Sequence, residues 1–303
     1  PFDWTPTSTN TAGGVTLTAG SFIVGAIKTR QEILIFTDSS IHTMRFSGSP
    51  FTFQFEVINK GLSMISPNAA TNAGDLVFFM DRGGFYFYNG SIQRLTCTVL
   101  DYVFSNLNTE QEFKVFAVTN LDFSEVVWYY PVGTGNTECT NYVSYNFMED
   151  SWAVGTLTRG AFIPSKTKDF PLASSAFTDT DYNYIYNHES GFDADGEAMN
   201  AFIESGGVEI GDGEQFMFIN RMIPDFEFRG TTASASVDIT LKGKDFPLND
   251  ASTLATANVT ENTGQSFIRA RTRESVIRVQ GTGTGYGWTL GTLRFDVRPD
   301  GRR

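Results

Sequence analysis

Side chains able to do acid, base or nucleophilic chemistry are few in this sequence, and their spacing does not assemble a reaction centre. There are two histidines, His42 and His188. His42 falls inside a strand-like run, and His188 is followed by Glu189 and a turn. Neither lies in a Gly-x-Ser-x-Gly or His-Glu-x-x-His pattern, where a neighbouring base or a helical i, i+4 pair would activate a hydroxyl or a water. Both are expected to be structural. Asp179 and Asp181, and then Asp193, Asp195 and Glu197, alternate as Ca²⁺-wrapping carboxylates do, but the remaining oxygens and the distal Glu of an EF-hand are missing. With 34 acidic residues a glycosidase-like pair can always be chosen, and the separation on which that chemistry depends is not written in a sequence. Cys97 and Cys139 have no CxxC context and read as buried thiols. The glycine-rich run from Gly281 to Gly287 is not followed by Lys-Ser/Thr or a helix, so it reads as a flexible hairpin tip and not a phosphate loop. The sequence predicts no catalytic residue, no metal site and no cofactor.

Charge is more informative. The formal net charge is −12 with a pI near 4.6, which disfavours a protein that binds nucleic acid by neutralising phosphates. The sign is uneven. Between Ser266 and Arg303 stand eight arginines, at 269, 271, 273, 278, 294, 298, 302 and 303, against Glu274, Asp296 and Asp300; this stretch is therefore +5 and the remainder −17. A basic end on an acidic body suggests a contact with a like or neighbouring protein. Arg269, Arg271, Arg273, Arg278, Arg302 and Arg303 are the candidate assembly contacts, and replacing Arg269, Arg271 and Arg273 with Ser is expected to impair assembly while leaving the fold intact.

The elements that must position these residues are strands. With 28 Phe, 11 Tyr and 29 Gly in 303 residues and only 18% charged, the composition favours β over helix. No apolar run is long enough to span a membrane. The richest stretch is 125–157: Glu125-Val-Val-Trp-Tyr-Tyr-Pro, a polar loop at 132–140, Asn141-Tyr-Val-Ser-Tyr-Asn-Phe, a turn at Met148-Glu149-Asp150, and Ser151-Trp-Ala-Val-Gly-Thr-Leu. Similar sets precede it. One runs through 33–36, 41–46 and 51–57, where Phe51, Phe53, Phe55 and Val57 alternate with polar residues as in a strand with one buried face. Another runs through 76–80, 85–88 and 91–95, with the hairpin signal Asn89-Gly90. A weaker set occupies 160–163, 171–174 and 182–187. Val99, Leu100, Val103, Phe104 and Leu107 lie at helical spacing and predict a short helix over 98–108. Strand sets recurring at a period near 40 predict a β-propeller-like domain over 1–205. From 206 to 303 the rhythm changes to that of an antiparallel β-sandwich-like unit, with strands at 216–219, 236–242, 267–273, 275–280 and 288–297 and a loop over 247–261. The sequence opens at Pro1 without an initiator Met or a charged-then-apolar leader, which predicts a processed or partial product.

Several of these runs carry a resemblance. Residues 33–51, Gly84-Phe-Tyr-Phe-Tyr-Asn-Gly, Leu100-Asp-Tyr-Val-Phe, Glu125-Val-Val-Trp-Tyr-Tyr-Pro, Ile223-Pro-Asp-Phe-Glu-Phe, Leu241-Lys-Gly-Lys-Asp-Phe-Pro, Ile268-Arg-Ala-Arg-Thr-Arg and the run from Trp288 to Arg303 resemble the tail nozzle proteins of short-tailed phages, the tubular tail protein B and packaged-DNA stabilisation proteins. The likeness extends from about residue 30 to the end. It implies a propeller-based virion subunit that assembles as a homohexamer below the portal and adaptor. It also implies contacts with the head-to-tail connector and with tail fibre or other tail proteins, and DNA that passes through the lumen without sequence-specific binding. It implies no catalytic residues, and further blades upstream of Pro1. The other reading is a receptor- or glycan-binding virion protein, in which Tyr and Trp faces stack on sugars; strand positions for those aromatics favour core packing. An ordinary secreted propeller enzyme is disfavoured by the missing leader and the poverty of histidine.

Overall fold

The computed structural model describes residues 5–7, 10, 12–48, 52–165, 169–176, 183–230, 235–246 and 248–302. Arg303, Asp179 and Asp181 lie outside them. The chain forms two compact units, 1–189 and 190–303, and is almost entirely β.

The first unit is a series of antiparallel meanders, each built from one contiguous stretch of chain. β1 (Ile23–Lys28), β2 (Ile33–Thr37), β3 (Ser40–Phe46) and β4 (Phe53–Lys60) form the first sheet; β5 (Ala70–Ala73), β6 (Leu76–Asp81), β7 (Gly84–Tyr88) and β8 (Ile92–Arg94) form the second. After helix α1 (Leu100–Asn106) and a 3-10 turn (Thr109–Lys114), the third sheet comprises β9 (Phe116–Asn120), β10 (Glu125–Tyr130), β11 (Asn141–Asn146) and β12 (Ser151–Thr156). β13 (Ala161–Ile163), β14 (Leu172–Ser174) and β15 (Ile185–Asn187) make the fourth.

Consecutive sheets pack face to face, which explains the unbroken apolar runs. In β6, Val77 and Phe79 join Leu34, Phe36 and Ile41 of the first sheet, while Phe78 and Met80 join Trp128, Tyr130 and Val143 of the third. In β10, Val126, Trp128 and Tyr130 face the second sheet, whereas Val127 and Tyr129 face Phe162 of the fourth. Such strands are buried on both faces and lose the polar alternation of a one-sided strand. The first strands of successive sheets run side by side: Asn68 bridges to Phe116 in parallel, and the Thr71 and Thr119 hydroxyls meet at 2.9 Å. Contiguous meanders stacked blade on blade around their first strands are the propeller-like arrangement.

Several boundaries differ from the sequence reading. The first and second sheets have four strands because β1 and β5 join them. The helix begins at Leu100 with no side-chain cap on Val99, and it ends at Asn106, so it is shorter than 98–108. The strand expected at 51–57 runs instead over Phe53–Lys60 as a sheet edge; Phe51 lies outside the described residues, Phe53 is exposed and packs edge-on against Phe46 at 5.9 Å, and Phe55 and Val57 are half-buried, so the expected face is only partly covered. The expected division at 205/206 falls at 189/190, since Phe202–Glu204 pairs into the second unit.

That second unit is a two-layered β-sandwich. One layer contains β16 (Phe202–Glu204), β17 (Val208–Glu209), β20 (Ser236–Lys244), β21 (Ser252–Thr260) and β23 (Glu274–Gln280), in the order β16-β23-β20-β21 with β17 also on β23. The other is made of two small sheets, β22-β18-β25 from Ala270–Thr272, Met217–Ile223 and Arg294–Pro299, and β19-β24 from Phe226–Gly230 and Tyr286–Leu290. Met217, Ile219 and Met222 of one layer meet Val237, Ile239, Leu241 and Val279 of the other. β20 shows strict alternation of buried and half-buried residues, as its sequence predicts. Two expectations fail here. Residues 252–260 form a nine-residue strand, not a loop: Thr, Ala and Ser with one Leu and one Val carry too little hydrophobic alternation to announce it. The glycine run 281–285 is a crossover between layers, because β23 pairs with β20 while β24 pairs with β19.

Candidate functional site

The arginines are gathered by strand alternation. In β22, Ala270 and Thr272 point into the core, at 4% and 1% exposure, so Arg269, Arg271 and Arg273 stand on the outer side. The neighbouring β18 places Phe218 opposite both Arg271 and Arg298. The result is an outer sheet face of guanidinium groups laid over phenyl rings. Arg271 sits 3.8 Å and Arg273 4.7 Å from the centre of Phe216, and Arg298 4.9 Å from Phe218.

These residues differ in how far they are committed. Arg271 donates from Nε to Asp300 Oδ2 at 2.7 Å and from Nη2 to the Asp300 carbonyl at 3.1 Å. Arg273 donates to the carbonyls of Glu214 and Arg302 at 3.1 and 2.9 Å, and its buried Nε has no partner among the described residues. Together with Phe216 N–H to the Gly301 carbonyl and Asp300 N–H to the Phe216 carbonyl, they fasten the end of β25 beside the start of β18. Replacing both would remove these fastenings, so a loss of stability is expected beside any effect on assembly. Arg302 faces Glu214 at 3.5 Å in an exposed pair of little energetic weight. Arg278 lies on the other layer, stacked on Phe202 at 3.9 Å and paired with Glu204 at 3.1 Å; Lys242 and Arg278 hold the Glu204 carboxyl below its ordinary range. Arg269 is exposed and has no ion pair among the described residues. Among the described residues, Arg269, Arg294 and Arg298 stand on this face without an ion pair and are available to meet a partner. Arg298 was not singled out from the sequence, although its alternation with Asp296 and Arg294 put it in register.

The first unit offers a second feature, a cavity of about 290 Å³ lined by Ile27 of β1, Ala70 to Asn72 of β5, Ala117 to Asn120 of β9, and Phe162 of β13. The described residues lining it carry no charge. Its hydroxyls are engaged: Thr119 donates to the Asn72 carbonyl at 2.8 Å and meets Thr71, and Ser165 donates to Asp122 Oδ2 at 3.0 Å, which leaves no convergent set of polar groups for chemistry among the described residues.

The histidines are structural. His42 is 1% exposed, with Nε2 at 2.9 Å from Ser40 Oγ and 3.1 Å from the Ala19 carbonyl. His188 Nε2 accepts from Arg159 Nε at 2.8 Å, and burial together with that guanidinium pushes the imidazole down to about 4. It is neutral at pH 7 with its lone pair occupied, which removes it as a general base. Burial raises Glu125, and Glu189 and Glu149 add to the effect. Cys139 donates to the Lys114 carbonyl, and burial pushes its thiol up to about 12. Among the described residues no group of three His, Cys, Asp or Glu is placed to hold a metal ion, and no helix is long and apolar enough to cross a membrane.

The topology and the site define an all-β protein in which a propeller-like unit is followed by a sandwich with an arginine-faced sheet. No protein-family model matches the chain, and no curated protein matches it in sequence. Among solved structures it is similar to exo-β-1,3-galactanase from Phanerochaete chrysosporium in complex with β-1,3-galactotriose, at 8% identity over 89% of this chain and 80% of that one, with a TM-score of 0.33. It is also similar to the N-terminal domain of Nup159, at 10% identity over 92% and 80% of the two chains, with a TM-score of 0.30.

Proposed function

We propose that this chain is a structural subunit of the tail nozzle of a short-tailed phage, assembling with copies of itself into a ring that extends or closes the DNA exit channel below the portal and adaptor. The observation that supports this reading best is the run of nozzle-like motifs from about residue 30 to the end. Most of those motifs lie on strands of the two units, with residues 100–104 on helix α1, and their large aromatics are spent on packing: Trp128 and Tyr130 are fully buried, and Phe85 packs against Trp128 and Trp152. An acidic body suits a channel wall that repels phosphate, so that duplex slides without sticking. The first unit carries 10 Lys/Arg against 18 Asp/Glu and the second 12 against 16. Arg269 and Arg298 supply the contact to a neighbouring subunit or to the adaptor.

Electron microscopy of the purified full chain, alone and with the adaptor, tests the reading: six-fold rings with an open lumen are expected. A chain that stays monomeric at high concentration, does not join the adaptor and is retained on a glycan array overturns it in favour of the receptor-binding class. Charge reversal of lumen carboxylates to Lys is expected to slow DNA passage; a lumen lined mainly by Lys and Arg would sink the slippery-wall argument.

A further inference from the structure

Two pieces of this chain are strand-competent and unsatisfied. The first is the free edge of β21. At nine residues it is the longest edge strand in the described structure, and it contains no charge, Pro or Gly. Natural edges are normally blunted by shortness, charge, proline or a bulge. Here a bulge at Leu254 interrupts the register with β20, but from 255 to 260 the ladder is unbroken. β21 pairs with β20 alone, and the backbone groups of residues 252–259 on its other side have no partner among the described residues.

The second is the segment 13–18, Gly-Gly-Val-Thr-Leu-Thr. It alternates apolar and hydroxyl side chains at the period of a strand, yet it forms no strand and makes no backbone hydrogen bond among the described residues, and Val15 is 62% exposed. The two are chemically matched. On the core side of β21, Ala255 and Ala257 are small and half-buried, so the flank of the sandwich interior is thinly covered. Val15 and Leu17 of an added strand would fall in that row. On the other side Thr240 and Thr256 already pair through their hydroxyls at 3.2 Å, and Thr16 and Thr18 would continue the threonine row.

We infer that residues 13–18 of one copy add as a strand to β21 of the next, a head-to-tail contact. This rests on the ring reading above and supplies its closure: donor and acceptor are different surfaces, so the contact is heterologous and propagates around a ring, whereas β21 pairing with itself would stop at a two-fold dimer.

The test uses the full-length chain. Thr16→Cys and Thr256→Cys proteins, whose new side chains would share one face, are prepared separately, mixed, oxidised and analysed by non-reducing gel and mass spectrometry. A Thr16→Cys to Thr256→Cys disulfide between two copies is expected in the mixture and no dimer from either protein alone. Dimers from Thr256→Cys alone would show two-fold edge pairing and overturn the inference, as would absence of any cross-link. In parallel, Thr16→Pro/Leu17→Pro removes one N–H from each edge of the donated strand, so a bond to β21 is lost in either register, while leaving every backbone hydrogen bond among the described residues of the monomer in place; roughly tenfold or more weaker self-association is expected. Rings that persist in the proline variant overturn strand donation and leave the nozzle reading standing. Cross-linked open fibres in place of rings would keep strand donation and overturn the nozzle reading.

Discussion

In the first unit aromatic rings fill the space between sheets; in the second the fully buried interior is mostly aliphatic, with Phe226, Phe228 and Trp288 packed at its flank and Phe202, Phe216 and Phe218 lying under arginines. Phe85 stands 4.8 Å from Trp128 and 4.9 Å from Trp152, and Trp128 Nε1 donates to the Ala69 carbonyl of the preceding segment at 3.1 Å. In the sandwich, by contrast, Met217, Ile219, Ile239 and Leu241 meet across the layers while Phe216, Phe218 and Phe202 each lie beneath a guanidinium. The difference follows from geometry. Blades that splay from a common axis leave wedge-shaped gaps that large planar rings can fill, whereas two flat layers are better filled by branched aliphatic chains. It also separates two roles: the first unit spends its aromatics on filling between sheets, and the second uses several of them as platforms for arginines.

If that contrast is right, the two units should respond differently to substitution. Trp128→Ala removes a fully buried ring and a buried hydrogen bond, and should cost about 3–5 kcal/mol in the first unit. In calorimetry the transition of the second unit should survive; a single collapsed transition would show the units are not separate. Gly155→Ala should cost about 2 kcal/mol, because a Cβ there enters the contact distance of the Tyr142 ring. Arg273→Ser should cost the second unit roughly 1–2 kcal/mol by unpairing two carbonyls, and should make residues 299–302 sensitive to carboxypeptidase. A wild-type digestion rate would contradict the fastening role.

A smaller effect concerns pH. The folded value of His188, about 4, lies below the unfolded value near 6.5, so its contribution is fully present above about pH 6.5 and is lost as the pH falls toward 4. Glu125, raised by burial, opposes this trend. His188→Gln should therefore flatten the loss of urea stability between pH 7 and pH 5 by about 1 kcal/mol. Smallest of all, Arg269→Ser should leave stability within about 0.5 kcal/mol while weakening ring assembly; unchanged assembly would remove the arginine face from the interface.

The sequence made visible what hydrophobic alternation or turn chemistry writes strongly: β10 to β12 with their Trp and Tyr anchors, the Asn89-Gly90 hairpin with Gly90 at φ 106°, and β20. It hid the strands made of small polar residues. β5 reads Ala-Thr-Asn-Ala because it lines the cavity beside β9, where backbones approach closely, and β21 reads as a loop because it is an edge. The arginines were visible as a cluster, but their division into fasteners and free groups was not, since Asp300 and the carbonyls of Glu214 and Arg302 reach them only through sheet pairing.

The contiguity of the meanders has a further consequence for the order of folding. Each sheet of the first unit closes from neighbouring strands, so hairpins can form as the chain emerges from the ribosome, each blade then waiting only for the next to cover its exposed face. The sandwich cannot proceed this way. β18 must hold its place until β25, made much later, arrives to pair with it, and β20 must wait for β23. Strand 252–260 is thus an uncovered template during that interval, and copies made on one messenger meet it while it is still growing.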